Sequence, residues 1–301
     1  MDLACAFDSV SHIKLWEALS RAGIDPGLLA IIRDIYQGAT ASVRYGRNGE
    51  TTSAFSVTKG VRQGCVLAPF LFNLYIKDLE SALLQGAGDF PQIDGRRLPV
   101  LLFADDAVLM GRTPRSLQLL IDGFSSFMAN LDLKVNVSKT YTMVCGSRSR
   151  LSGPSFFLNG KLIGSTSNFP YLGVVFNNQG SWTPNLCSRN NAFSREILAL
   201  LVFGAKIGKR SLVHLLKIYK ARCVPTAIYG AGLWGVSPCK TLEITENKFL
   251  KKLLAVPQGT CSYICHCELG IVPISDLIKL APALLWWKVW TSDEAVLHRK
   301  I

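Results

Sequence analysis

The chain has 301 residues, 49% of them hydrophobic and 18% charged, and its 33 basic and 21 acidic side chains leave a formal charge of +12. This apolar fraction excludes disorder, and the length allows about two domains with sizeable cores. The longest uncharged run, 223–239, carries two prolines and three glycines and falls short of the ~20 apolar residues that a membrane span needs.

The segment Asp2 to Asp8 reads as a strand end leading to a turn. Ile13, Leu15, Trp16 and Leu19 recur at helical spacing over 11–22, with Gly23 as a stop. Asp25-Pro26 is a cap followed by a first-turn proline, and it starts a helix that runs to about Gly38. Two strands, 41–45 and 52–57, flank Asn48-Gly49, a hairpin signal. A loop, 60–69, opens a long apolar helix that ends near Gly86. The runs 98–103 and 107–110 read as strands with Asp105-Asp106 between them, and 114–130 as an amphipathic helix. Short strands follow near 140–145, 155–164 and 171–176. Beyond about 185 the pattern turns helical, with helices expected at 190–204, 210–222, 240–254 and 275–291 and a loop bracketed by Pro257, Gly259, Gly270 and Pro273. The change of pattern sets two domains, 1–180 and 181–301, with the boundary near 178–185.

Charge is divided unevenly. Residues 1–110 carry a net −2, whereas 161–260 alone carry +10. A basic second part suggests a polyanionic partner; a solvated lysine-rich face explains it as well. Nine scattered cysteines suit reduced, intracellular thiols rather than a disulfide framework, and Asp2 stands where a secretory signal carries basic residues.

Asp105-Asp106, between two apolar runs, reads either as an acidic turn or as a chemical site. If a sheet brings Asp2 beside them, the like charges require a raised pKa or a divalent cation. Oxygen ligands of this kind suit Mg²⁺. The glycines and Pro69 of the 60–69 loop either present backbone amides to a phosphate or simply lead into the helix. Cys261, Cys265, His266 and Cys267 have poor spacing for one zinc ion and read as buried thiols. His12, His214 and His298 read as structural or surface residues. Trp286, Trp287 and Trp290 form a stripe for core packing or an exposed patch.

Taken in order, five segments resemble the reverse transcriptase of non-LTR (LINE-type) retrotransposons. They are Asp2-Leu-Ala-Cys-Ala-Phe-Asp8, Gly60 to Pro69, Phe103-Ala-Asp-Asp106, Asn136-Val-Ser-Lys-Thr140 and Tyr171-Leu-Gly173, matching motifs A to E. The resemblance is strong over 2–176 and weak over 185–290. It implies an α+β fold: a polymerase palm, an antiparallel sheet backed by helices, followed by an all-helical thumb. It implies that Asp2, Asp105 and Asp106 bind two Mg²⁺ ions, with Mn²⁺ as the alternative. Phe7 would exclude a ribose 2′-OH, Arg62, Gln63 and Gly64 would lie along the incoming nucleotide, and Lys139 would sit near the leaving pyrophosphate. Tyr171, Leu172 and Gly173 would grip the primer, and Lys206, Lys209, Arg210, Lys217, Lys220 and Arg222 would contact the sugar-phosphate backbone.

The implied partners are an RNA template, a DNA primer and deoxynucleoside triphosphates, in an intracellular setting of nucleus and cytoplasm with no membrane. The family's fingers region, which precedes motif A, is missing from this sequence, so the expectation is a truncated palm-and-thumb portion of a retroelement protein. The alternative is a non-catalytic nucleic-acid-binding remnant. A structural protein with no nucleic-acid role is a third reading.

Overall fold

The computed structural model describes every residue except 47–48, 87, 94, 147–153, 208–211 and 293–301. Helices and strands are mixed, and the chain divides into two compact units. The first comprises Met1–Thr142 and Gly153–Ser165, the second Met143–Ser152 and Thr166–Ile301.

In the first unit the helices form where sequence chemistry demands them. Asp25 accepts hydrogen bonds from the Gly27 and Leu28 amides, so its carboxylate caps the helix Pro26–Tyr36. Thr113 caps Pro114–Asn130 in the same way, through the Ser116 amide. The apolar stretch expected as one helix is two, Ala68–Tyr75 and Leu79–Leu84. Tight bonds from Lys77 N to Leu74 O and from Leu79 N to Ile76 O separate them, and Ile76, Leu79 and Leu83 all stay buried. The 41–57 region forms two short ladders, Thr40–Ala41 with Phe55–Ser56 and Arg44–Tyr45 with Glu50–Thr51; Asn48 of the expected turn lies outside the described residues. The core of this unit contains Leu15, Leu19, Phe72, Tyr75, Phe124 and Met128.

The second unit joins the hairpin Asn168–Tyr171/Val174–Asn177 to helices. This change of unit falls ahead of 178–185, because the hairpin packs with the helices: Val174 lies in their core, and Asn185 of the helix Thr183–Ile207 accepts the Val175 amide. The region expected as one helix at 210–222 is Leu212–Ile218, a π turn Tyr219–Cys223 and Val224–Ile228. Pro225 has no amide to continue the i→i−4 ladder, and the Val224 amide bonds to Tyr219 O five residues back. The expected loop at 257–273 contains a helix, Ser262–Leu269, stopped by Gly270.

Buried in this unit is a polar network. Glu246, 1% exposed, accepts from Tyr219 Oη at 2.6 Å and from the Ile274 amide at 2.8 Å, so it caps the helix Ile274–Trp290 from beneath. His266 approaches the same carboxylate at 3.8 Å, with Nε2 at 3.1 Å from Asn247 Oδ1.

Of the Cys261–Cys267 group Cys265 and His266 are buried, His266 within the network, whereas Cys261 and Cys267 are exposed. Trp286, Trp287 and Trp290 are all at least 60% exposed, so the stripe is a surface patch rather than core. Among the described residues no single helix is long and apolar enough to cross a membrane. The pair Ser262–Leu269 and Ile274–Trp290 reaches that length and composition only together, bent by 72°.

Candidate polymerase site

Four short strands of the first unit lie side by side. Val100–Phe103 pairs antiparallel with Asp106–Leu109, and Leu3–Ala4 pairs antiparallel with Lys134–Val135. A single bridge, Asp2 to Asp106, joins the two ladders. Met1 and Ala107 exchange both backbone bonds, at 2.7 and 3.1 Å. The neighbouring Asp2–Asp106 pair is therefore of the non-hydrogen-bonded kind, with Cα atoms ~4.5 Å apart and side chains on one face. Leu3 and Ala107, one position on, point the other way and are buried.

The strand signal placed both acids in the turn; the structure divides them. Phe103 pairs with Asp106, so Ala104-Asp105 makes the turn and Asp106 opens the second strand. Ala104 has φ 52° and Cys5, just past Asp2, has φ 49°. Left-handed backbone costs a non-glycine residue ~1–2 kcal/mol. Strain of this kind collects at functional sites.

The acids affect each other. Burial, then the Asp105 and Asp2 charges, raise the Asp106 carboxyl above its ordinary value. Two carboxylates ~5 Å apart at an effective dielectric of ~20 repel by about 3 kcal/mol, less where water screens them.

Among the described residues no three His, Cys, Asp or Glu side chains form a ready-made metal cluster. The donor set still fits a hard cation. Mg²⁺ is commonly held by one or two carboxylates completed by substrate phosphates, and the Asp2–Asp106 pair offers those oxygens beside Asp105.

The motif B loop docks on the backbone that follows Asp2. Gly60 N bonds Val10 O and Val61 N bonds Phe7 O, both at 2.8 Å. Gly60 has φ 92°, and a Cβ there would lie 2.9 Å from Asp8 O. Gln63, exposed, reaches the Asp8 carboxylate at 3.5 Å. Arg62 is also exposed; it donates to Ile35 O and sits 6.0 Å over the Tyr36 ring. Gly64, at φ 82°, is open to solvent. Phe7 is half-buried and stacks on Phe72 at 5.0 Å, which fixes its ring.

Lys139 closes a short 3-10 turn, Val137–Lys139, and is exposed. Its neighbour Thr140, 1% exposed, accepts the Asp2 amide at 3.4 Å and donates to Asn136 O at 2.8 Å, tying motif D to motif A. His12, expected as a structural or surface residue, is structural: its Nε2 lies 2.8 Å from Gly60 O and supports the loop. One residue of the site was not expected. Lys134, exposed opposite Ala4, shares the face of Asp2 by strand alternation. Only the register, which pairs Lys134 with Ala4, could have signalled it.

In the second unit, Leu172-Gly173 is the two-residue turn of a hairpin and Tyr171 ends its first strand. Lys206, Lys217 and Lys220 are exposed, Lys220 donating to Gly270 O. Arg222 forms a forked ion pair with Glu196, which offsets its charge. Lys209 and Arg210 lie outside the described residues.

Residues 1–176 match the family model described as reverse transcriptase (RNA-dependent DNA polymerase). The chain belongs to the reverse transcriptase family, whose members generally use divalent metal ions, an RNA template and nucleotides. It is similar to the RNA-directed DNA polymerase from mobile element jockey of Drosophila funebris, 24% identical over 93% of this chain and 30% of that protein. It is 30% identical to the Pol polyprotein of the retrotransposable element R2DM of Drosophila melanogaster, over 60% of this chain and 17% of that protein. It is also 30% identical to an R2 Pol polyprotein of Popillia japonica, over 62% of this chain and 27% of that protein. The chain thus spans less than a third of the length of each of these relatives.

Proposed function

We propose that this chain carries the catalytic face of an RNA-directed DNA polymerase of a non-LTR retrotransposon. The observation that supports it most is the Asp2–Asp106 bridge, which sets carboxylates from two motifs of a reverse transcriptase on one face of a sheet. The first unit would serve as palm and the helices of the second as thumb. The reaction is attack of a primer 3′-OH on the α-phosphate of a deoxynucleoside triphosphate, templated by RNA.

Asp2 and Asp106, with Asp105 at the turn, would hold two Mg²⁺ ions, or Mn²⁺ in their place. Bound cations lower the pKa of the attacking hydroxyl and offset charge on the phosphates. The chain's own residues do the positioning. The half-buried, stacked ring of Phe7 cannot yield to a 2′-OH, so deoxynucleotides are preferred. Gln63 lies beside Asp8 on the docked loop, where the new base pair would form, with Arg62 and Gly64 next to it in sequence. Lys139 projects into solvent next to the strand of Asp2 and would offset charge on the departing pyrophosphate. The exposed lysines of the second unit would contact the duplex backbone without regard to sequence.

Primer extension on an RNA template tests this. Extension should require Mg²⁺ and deoxynucleotides, and should vanish when Asp105→Asn and Asp106→Asn are combined while the fold persists. Extension that survives the double change would remove these residues from the reaction. Salt-sensitive duplex binding with no incorporation under any condition would support the binding remnant instead.

A further inference from the structure

A two-residue turn with both residues at positive φ closes a hairpin by itself. Leu172 and Gly173 have φ 47° and 78°, so the hairpin Asn168–Tyr171/Val174–Asn177 needs no partner at its tip. It has one nonetheless, the segment Tyr229-Gly230 that joins the helices Val224–Ile228 and Ala231–Trp234. Tyr229 Oη donates to Leu172 O at 2.9 Å. A Cβ on Gly173 would lie 3.0 Å from the Tyr229 ring, and a Cβ on Gly230 would lie 2.7 Å from Val174 Cγ2. Each segment thus puts a glycine where the other puts a side chain.

The receiving segment is itself fixed. Trp234, fully buried, donates from Nε1 to Tyr229 O at 3.1 Å. The Arg189 guanidinium covers the Tyr229 ring at 5.5 Å, and its buried Nε has no hydrogen-bond partner. Tyr229 is 50% exposed, so core burial does not account for its place.

We propose that Tyr229, backed by Arg189 and seated through Gly230, is a positioning residue that sets where the Leu172-Gly173 turn presents its backbone to a primer strand. This rests on reading the hairpin as a primer contact. Val174 and Asn185 anchor the strands of the hairpin to the helices, and Tyr229 fixes where its tip lies on them.

The test uses the full chain and two fluorescent duplexes of equal length, one with a recessed DNA primer on RNA and one blunt. Anisotropy gives the preference for the recessed end. Tyr229→Phe, which keeps the ring and loses the hydroxyl, should reduce that preference about threefold to tenfold, the effect of one hydrogen bond. Tyr229→Ala should reduce it further, with blunt-duplex affinity of the Phe variant unchanged and its Tm lowered by no more than a few degrees, the cost of that one bond. Where incorporation is measured, primer KM should rise with kcat little altered. Both variants retaining the wild-type preference would overturn the proposal and leave the primer reading intact. A wild type with no preference would overturn the primer reading itself, and the proposal with it.

Discussion

Asp2 and Asp106 are direct neighbours on adjacent antiparallel strands, and the backbone beside them is locked because Met1 and Ala107 exchange two hydrogen bonds. The chain spends folding energy to hold this like-charged pair, which carries the functional account. The contacts around it should therefore be sensitive to small changes.

Thr140 is the clearest case. Its hydroxyl accepts the Asp2 amide and donates to Asn136 O, and the residue is buried. Thr140→Val keeps the shape and removes both bonds, so it should destabilise the first unit by about 1–2 kcal/mol. Urea denaturation, read by amide exchange in the strand peptides of 1–10 and 134–142, checks this.

Gly60 and Gly64 separate close approach from backbone strain. Both have positive φ, but only Gly60 faces backbone within 3 Å; around Gly64 nothing lies within 4 Å. Gly64→Ala should cost about 1 kcal/mol and Gly60→Ala at least about twice that, because the Asp8 backbone must shift. Equal losses in urea denaturation would contradict the docking of the loop on motif A.

Glu246 should give the second unit an unusual pH response. Burial raises its carboxyl above the ordinary 4.5, while the bonds from Tyr219 and Ile274 and the nearby His266 pull it down. Its folded pKa exceeds the unfolded value, so its contribution is greatest below about 4.5 and is lost as pH rises through the folded pKa. Relative to Glu246→Gln, the wild type should lose stability as pH rises across that window. Glu246→Ala, which leaves Tyr219 Oη and the Ile274 amide unpaired, should cost about 3 kcal/mol at neutral pH. Chemical denaturation of the three proteins at several pH values measures both effects.

The basic face should not act evenly. Lys217→Ala should lower the salt slope of duplex binding by about one, as loss of one phosphate contact does. Arg222→Ala should leave it nearly unchanged, because Glu196 already offsets that charge. A filter-binding salt series on both variants distinguishes them.

Local chemistry made much of this legible in the sequence. Asp25-Pro26 specifies a helix start through capping, and the amphipathic spacing over 114–130 specifies another helix; both form there. The order of the five motif segments conveyed the juxtaposition of Asp2 with the acidic pair, which no spacing could. What stayed hidden depended on contacts distant in sequence. Leu172-Gly173 looked like strand, yet it is a turn whose left-handed backbone is matched by Tyr229. Ser262–Leu269 was obscured by the glycines and prolines around it, although Gly270 only ends it. His266 and Glu246 are polar residues on separate helices, and only packing brings them together.

Cation sharing by Asp2 and Asp106 is read most sharply from Mn²⁺ binding, followed by electron paramagnetic resonance, in the wild type, Asp2→Asn, Asp106→Asn and the double variant. If the two carboxylates share a cation, each single change should weaken binding at least about tenfold, and the double change should add much less than the sum. Unaltered Mn²⁺ affinity in Asp2→Asn would contradict a shared site, whatever Asp106→Asn did.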